Sequence, residues 1–259
     1  MSLIRHRCRQ SGYGLVVIAG LFTAFAVVAA AIIEKNNATA DIVMQGKARE
    51  QLQKLNVAML RYARFNNNRL PCPASEQVLA TNASFGAPLN EPCYTGQTVT
   101  TAQTPFITGT STSQKLIRGM VPVRALIPYG VSLNDAFDPW GNRIVYIVHR
   151  DLTTNAPGTT INTGDLPSIS EYNTGQSVSP RPDAVLISFG KDRMDARTRS
   201  QSSVASPGLA CAAGTDRRRE NCDNDVDFII GPHLVSSTIG SAVYFDDTVS
   251  PLRISTNGL

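Results

Sequence analysis

The chain has no proline before Pro71 and no charged residue between Arg9 and Glu34. Proline is the residue that breaks a helix most strongly, so its absence allows one continuous helix over residues 13–66. The missing charges exclude an ordinary surface helix for residues 13–33, because such a helix carries polar side chains on one face. Together these absences predict a long N-terminal helix whose first half is apolar throughout.

The apolar run 13–33 is long enough for the helix of about 20 residues that crosses a bilayer core of about 30 Å. Arg5, Arg7 and Arg9 precede this run, and few positive charges follow it. Because positively charged flanks stay in the cytoplasm, we expect a single-pass helix with a cytoplasmic N-terminus and an extracytoplasmic remainder. Membrane lipid is therefore an expected partner of residues 13–33.

Beyond the apolar run, the expected helix becomes amphipathic. Five apolar residues recur there at steps of four and three, which places them on one face. They are Ala48, Leu52, Leu55, Met59 and Tyr62. An asparagine run and a Leu-Pro pair then predict that the helix stops near residue 66. We expect this half to pack on a globular head formed by residues 67–259.

The chain has only five cysteines. Cys8 lies in the basic leader, and the other four lie beyond the apolar run: Cys72, Cys93, Cys211 and Cys222. An even set in an exported segment predicts two disulfides formed in an oxidising compartment. Three connectivities are open. We favour nearest-neighbour pairing, Cys72 with Cys93 and Cys211 with Cys222, in which each bridge contributes about 3 kcal/mol.

The C-terminal two thirds contain short β-branched runs between polar loops. A tight turn at Asp138–Asn142 leads into a predicted strand at Arg143–His149. Further strands are predicted at Asp183–Phe189, Asp227–Ile230 and Ala242–Phe245. Strands grouped after one long helix predict an α+β fold, in which an antiparallel sheet with long, disulfide-stapled loops packs against the helix.

Residues suited to catalysis are sparse. The only histidines are His6, His149 and His233, and the first lies in the leader. The chain has no GxSxG, HExxH, P-loop or GxGxxG pattern. We therefore expect no enzymatic activity and no required cofactor.

One loop region carries a set of oxygen-bearing side chains. They are Asp192, Asp195, Asp223, Asn224, Asp225 and Asp227. Ca²⁺ takes six to eight oxygen ligands, so this set is a candidate calcium site if the loop folds back on itself. The spacing is not that of an EF-hand, and the alternative is a solvated acidic loop with local Asx turns.

Positive charge near this loop does not indicate nucleic-acid binding. The formal net charge is +4, and the leader supplies most of it. Arg193, Arg197, Arg199 and Arg217–Arg219 lie close together in sequence, but no aromatic residues lie between them to stack on bases. We expect a solvated surface of mixed charges there and no nucleic-acid partner.

Gly12, the aromatic Tyr13 and the apolar segment behind a short basic leader resemble the prepilin class of signal sequence. This class belongs to type IV pilins and to the pseudopilins of type II secretion. The resemblance implies that a prepilin peptidase cuts between Gly12 and Tyr13 and methylates the new amino group. It also implies removal of residues 1–12 and packing of the apolar segment in the core of a filament.

Val17 departs from the pattern of this family. In most members the fifth mature residue is a glutamate, which pairs with the amino terminus of the adjacent subunit. Without that partner, a charge buried in an apolar core would be costly. A subunit lacking the glutamate resembles the minor pseudopilins at a filament tip, so Val17 favours an initiating or capping subunit.

The head shares the resemblance through the turn at Asp138–Asn142, the strand at Asp227–Ile230 and the terminal segment Phe245–Val249. These features imply a structural subunit of a type II secretion or type IV pilus filament, at the bacterial inner membrane with a periplasmic head. The implied partners are other pilins or pseudopilins, the prepilin peptidase, an inner-membrane platform protein and an assembly ATPase.

Two other interpretations of the N-terminus remain open. Ala38-Thr39-Ala40 before Asp41 matches an ordinary signal-peptide cleavage site, and an uncleaved anchor would have the same apolar run. Either would make the protein a periplasmic or membrane-anchored ligand-binding module that does not polymerise.

Overall fold

The structure is a computed structural model. It describes residues 11–89, 93, 106–107, 116–154, 161, 163–191, 196–200, 221, 227–231 and 245–254. Within the first helix, it describes the side chains of residues 17–32 and 39–65.

One long helix precedes the strands. Helix α1 runs over Ser11–Phe65, and a short helix α2 over Val123–Leu126. The strands of the described residues are β1 Phe106–Ile107, β2 Leu116–Met120, β3 Val145–His149, β4 Ser168–Glu171, β5 Ala184–Ser188, β6 Asp227–Ile230 and β7 Thr248–Leu252. One antiparallel sheet has the order β1-β2-β3-β5-β7, and β4 pairs with β6 separately.

The chain divides into two units, Met1–Val43 and Met44–Leu259. The boundary falls inside α1, so the second half of this helix folds with the strands. In that half Ala48, Leu52 and Leu55 are at most 1% exposed. The stripe of apolar residues therefore forms the inner face of the helix.

In the first unit, the large apolar side chains of α1 are exposed. Leu21, Phe22 and Phe25 are 66%, 72% and 75% exposed. The apolar side chains of this part of α1 that the structure describes are those of residues 17–32. Among the described residues, no helix combines the length and the apolar character that crossing a membrane requires. For the part of the chain that the structure describes, the predicted membrane-inserting first half of the helix is therefore wrong, because a crossing helix needs about 20 apolar residues.

The end of α1 follows from its asparagines. Asn67 and Asn68 have φ of 56° and 59°, the left-handed region that asparagine tolerates better than most residues. The backbone N–H of Asn68 donates to the carbonyl oxygen of Ala63 at 2.8 Å, which satisfies one of the last carbonyls of the helix. The asparagine run thus stops the helix at Phe65.

The main sheet is buried on both faces. Side chains along β3 and β5 point alternately to opposite sides. Tyr146, Val148, Ala184 and Leu186 join the core beneath α1, whereas Val145, Ile147, Val185 and Ile187 join a second core with Phe228 of β6. Burial on both faces explains why these strands are nearly continuous apolar runs.

The prediction for the sheet was also wrong in one respect. The sequence predicts Asp227–Ile230 as part of the antiparallel sheet against the helix. Instead β6 pairs in parallel with β4, with Ser168 opposite Asp227 and Glu171 opposite Ile230. The physical reason is that α1 covers only one face of the main sheet, so the other face needs a second apolar layer.

Cys72 and Cys93 form a disulfide, and their Cα atoms are 5.8 Å apart. Both cysteines are at most 1% exposed and pack against Ile117 of β2. This bridge holds the segment after α1 against strand β2. Cys211 and Cys222 lie outside the described residues, so their pairing stays a prediction.

Replacing Gly46 should stabilise the second unit. Gly46 lies inside α1, and no atom lies within 4 Å of the position that a Cβ would take. Gly46→Ala should therefore raise the free energy of unfolding by about 0.5–1 kcal/mol, because alanine loses less backbone entropy in a helix. Urea unfolding followed by circular dichroism measures this difference.

Gly119→Ala is the matched control. An added Cβ there would lie 2.6 Å from the carbonyl oxygen of Ala74 and 2.7 Å from the Cβ of Pro73. This variant should lose about 1–3 kcal/mol. Equal effects of the two substitutions would contradict this account of α1.

Candidate functional site

The tight turn before β3 is organised by one buried carboxylate. Asp138 is 5% exposed. Its Oδ1 accepts hydrogen bonds from the backbone N–H groups of Trp140 at 3.0 Å and Asn142 at 2.8 Å. Its Oδ2 accepts from Ser188 Oγ at 2.8 Å and Asn142 Nδ2 at 3.2 Å. One side chain therefore closes the turn and joins it to the end of β5.

Asn142 extends this connection. Its Nδ2 also donates to the carbonyl oxygen of Gly190 at 2.7 Å. Gly190 has φ of 62°, and an added Cβ would collide with Asp246, so only glycine fits. The turn before β3 and the turn after β5 are thus fixed relative to each other.

Burial raises the pKa of Asp138 to about 6, although four hydrogen-bond donors favour its ionised form. Removal from water is the larger effect because the carboxylate lies beneath the turn. Asp138 points inward, and its hydrogen-bond partners occupy its oxygens. Its role is therefore to position the turn.

A groove of about 740 Å³ lies between α1 and this turn. Gln51 Nε2 on α1 donates to the carbonyl oxygens of Asp135 at 3.0 Å and Phe137 at 2.6 Å. Lys54 Nζ lies 2.7 Å from Asp135 Oδ2. Although burial raises the pKa of Asp135, hydrogen bonds from Lys54 and Ser132 outweigh it and lower that pKa. These contacts fix the wall of the groove against the helix.

The other wall of the groove carries a cation. The guanidinium of Arg199 lies 4.2 Å from the centroid of the Phe137 ring. Lys47 and Glu50 line the α1 side, and the lining as a whole mixes polar and apolar surface. The groove is open to solvent, so its chemistry suits binding of an extended charged ligand more than catalysis.

A second charged cluster holds the segment after α1. Glu76 Oε1 lies 3.7 Å from Arg118 Nε, and Glu76 Oε2 lies 3.8 Å from Arg197 Nε. Arg143 Nη1 donates to the backbone carbonyl of Glu76 at 2.7 Å. Burial lowers the pKa of Arg143, although the charge of Glu76 opposes that shift. The cluster joins three parts of the second unit around one carboxylate.

The residues predicted for processing lie in α1. Gly12 and Tyr13 are in its first turn, where side chains are not described. Val17, at the position where most members of the resembled family have a glutamate, is an uncharged residue of α1 and is 53% exposed.

The structure tests little of the candidate calcium site. Asp192, Asp195, Asp223, Asn224 and Asp225 all lie outside the described residues. Asp227 is exposed at the start of β6. The described part of the chain contains no group of three or more His, Cys, Asp or Glu side chains placed to hold a metal ion. Calcium binding stays a prediction.

Sequence reasoning missed two buried acids in the Phe245–Val249 segment. Asp246 and Asp247 are 4% and 6% exposed. Asp246 accepts a hydrogen bond from the backbone N–H of Lys191, and Asp247 Oδ2 accepts from Asn221 Nδ2 at 3.1 Å. They anchor the ends of the loops that contain the predicted calcium ligands. The sequence feature that could have identified them is a pair of adjacent acids directly before strand β7.

Comparison of the chain with protein-family models, curated proteins and solved structures gave no match.

Asp138 should make stability depend on pH between about 4 and 6. The folded pKa of about 6 exceeds the ordinary value of 3.8, so the folded state binds the proton more tightly. Stability from this group is therefore complete below pH about 4 and is lost as the pH rises through 6. The loss should reach about 3 kcal/mol.

Urea unfolding of the wild type and of Asp138→Asn at several pH values measures this term. The variant should lose that part of the pH dependence, because its side chain does not titrate. Asp183→Asn is the control, since burial also raises the pKa of Asp183, and this variant should keep the Asp138 term. Parallel wild-type and Asp138→Asn profiles would contradict the assignment.

Proposed function

We propose that this protein is a non-enzymatic structural subunit, a minor pilin or pseudopilin, of a type II secretion or type IV pilus filament. The observation that carries the proposal is the exposed apolar surface of α1 in the first unit. Phe22 and Phe25 alone are 72% and 75% exposed there. This surface follows the prepilin-type leader at Gly12 and Tyr13.

An exposed apolar surface of this kind needs a covering partner. Large contiguous apolar patches mark interaction surfaces, and each buried Leu or Phe side chain contributes about 1.5–3 kcal/mol. Equivalent helices of neighbouring subunits would cover residues 17–32 with matching apolar side chains. Association of helices is thus the driving force of the proposed assembly.

A valine at position 17 supports a place at the end of a filament. A glutamate at this position would need a neighbour to neutralise its charge. Val17 carries no charge and can be buried by apolar contacts alone. A subunit of this kind can initiate or cap an assembly without a partner above it. The resemblance implies three further partners in assembly, namely a prepilin peptidase, a platform protein and an assembly ATPase.

The Cys72–Cys93 disulfide supports a location of the head outside the cytoplasm. Disulfides persist in oxidising compartments such as the bacterial periplasm. We therefore propose that the head lies in the periplasm or on a filament beyond it.

The N-terminal residue of the mature protein tests the processing step. Expression together with a prepilin peptidase should yield a chain that begins with methylated Tyr13, as read by intact mass and N-terminal sequencing. Expression without the peptidase is the control and should leave residues 1–12 attached. A chain beginning at Asp41, or an intact Met1 in both cases, would instead support the ligand-binding module.

Phe25→Asp tests the assembly step. A charge at this exposed position should remove the protein from sheared filaments, because an unpaired carboxylate cannot be buried between helices. The melting temperature of the second unit should not change, since Phe25 lies in the first unit. Immunoblots of the filament and cell fractions measure the effect.

Leu79→Asp is the matched control, because Leu79 is 49% exposed in the second unit. This variant should enter filaments as the wild type does. Normal incorporation of Phe25→Asp would refute the role of this helix surface.

A further inference from the structure

The outer face of α1 in the second unit carries a regular row of cations. Lys47, Lys54 and Arg61 recur every seven residues, and all are exposed. Because two helical turns take about 7.2 residues, these side chains lie in one row, about 10 Å apart along the axis. Arg64 is exposed beside Arg61, less than one turn further along. We call these four residues the cationic row.

Negative charge only partly balances the cationic row. Glu50 lies within it, one turn after Lys47. Lys54 pairs with Asp135 at 2.7 Å. The other three cations of the row make no ion pair with any residue in the described part of the chain. The row therefore presents excess positive charge to solvent.

An exposed aromatic side chain lies at the C-terminal end of the cationic row. Phe65, four residues after Arg61 and thus on the same side of the helix, is 74% exposed. Its ring stacks on Tyr129 with centroids 6.0 Å apart and an interplanar angle of 22°. Tyr62 supports Tyr129 from the side, with centroids 5.9 Å apart at 75°. Phe65 is therefore held by one ring while most of its surface stays in water.

The surface becomes concave at the other end of the row. The groove of about 740 Å³ adjoins Lys47 and Lys54, and Arg199 lies on its opposite wall. Arg199 is exposed, so a third cation reaches the same groove. From Lys47 to Phe65 the helix advances about 27 Å, a length that several nucleotides of an extended strand would occupy.

We propose that the cationic row, the groove beside it and Phe65 bind single-stranded nucleic acid. The phosphates lie along Lys47, Arg61 and Arg64, and a base stacks on the open face of Phe65. This combination of a positive track with aromatic stacking is how proteins bind single strands without sequence preference. The site is separate from the apolar surface of the proposed filament subunit, so it does not depend on that function.

Other polyanions would contact only part of this surface. A sulfated polysaccharide or duplex DNA would use the cations but would have no unstacked base for Phe65. The sequence analysis predicted no nucleic-acid binding because it considered the arginines of residues 193–219, which have no aromatic residues between them. In the folded chain, Tyr129 comes from a distant segment and supports Phe65 next to Arg61 and Arg64.

Fluorescence anisotropy of a labelled oligothymidine of about 15 nucleotides tests the proposal. The full chain is kept in a non-ionic detergent, because residues 17–32 expose large apolar side chains. Binding should weaken as salt rises from about 50 to 200 mM. Arg61→Gln combined with Arg64→Gln should lower the slope of log K against log salt by about 1.4, or about 0.7 for each lost phosphate contact.

Phe65→Ala separates stacking from charge. It should weaken binding at least about fivefold and leave the salt slope unchanged. Two exposed controls, Leu79→Ala and Arg253→Gln, should change neither quantity. Absence of binding at about 50 mM salt would overturn the proposal. Phe65→Ala binding as tightly as the wild type, with dextran sulfate competing equally, would also overturn it, because the surface would then attract any polyanion.

Discussion

The second unit depends on burial of the inner face of α1 against the main sheet. Leu52, Leu55 and Met59 are at most 1% exposed, and they meet Tyr146 and Leu186 from the central strands. Each such side chain contributes about 1.5–3 kcal/mol by leaving water. Because the helix covers one face only, the β4–β6 pair must cover the other. The layered arrangement follows from that single requirement.

Polar contacts then position the segments between these layers. Asp138 closes the turn before β3, and Asn142 joins this turn to Gly190 after β5. Glu76 connects the segment after α1 to the buried Arg118 and the half-buried Arg197. A buried carboxylate is tolerated where donors surround it, so these acids define which turn lies beside which strand. Gln51 and Lys54 hold one wall of the groove against α1.

The same helix has two chemically different exposed surfaces. In the first unit it is apolar around Phe22 and Phe25, which suits contact with other helices. In the second unit its outer face is cationic and ends at Phe65, which suits an anionic strand with unstacked bases. Apolar association does not depend on charge and is strengthened by some salts, whereas phosphate binding weakens steeply as salt rises. The two proposed activities can therefore be separated by ionic strength.

Local sequence patterns are sufficient to predict several elements of this protein. The lack of proline, the stripe from Ala48 to Met59 and the asparagine run define α1, since helix geometry depends on neighbours three and four residues away. Strands β3 and β5 were predicted almost to the residue, because β-branched runs favour extended backbone wherever they occur.

Contacts between distant segments depend on the folded chain. The parallel pairing of Asp227–Ile230, the burial of Asp246 and the ring of Tyr129 beneath Phe65 depend on residues far apart in the chain. Local periodicity carries no information about such partners. The aromatic support of Phe65 was missed for the same reason: Tyr129 comes beside the end of α1 only after the chain has folded.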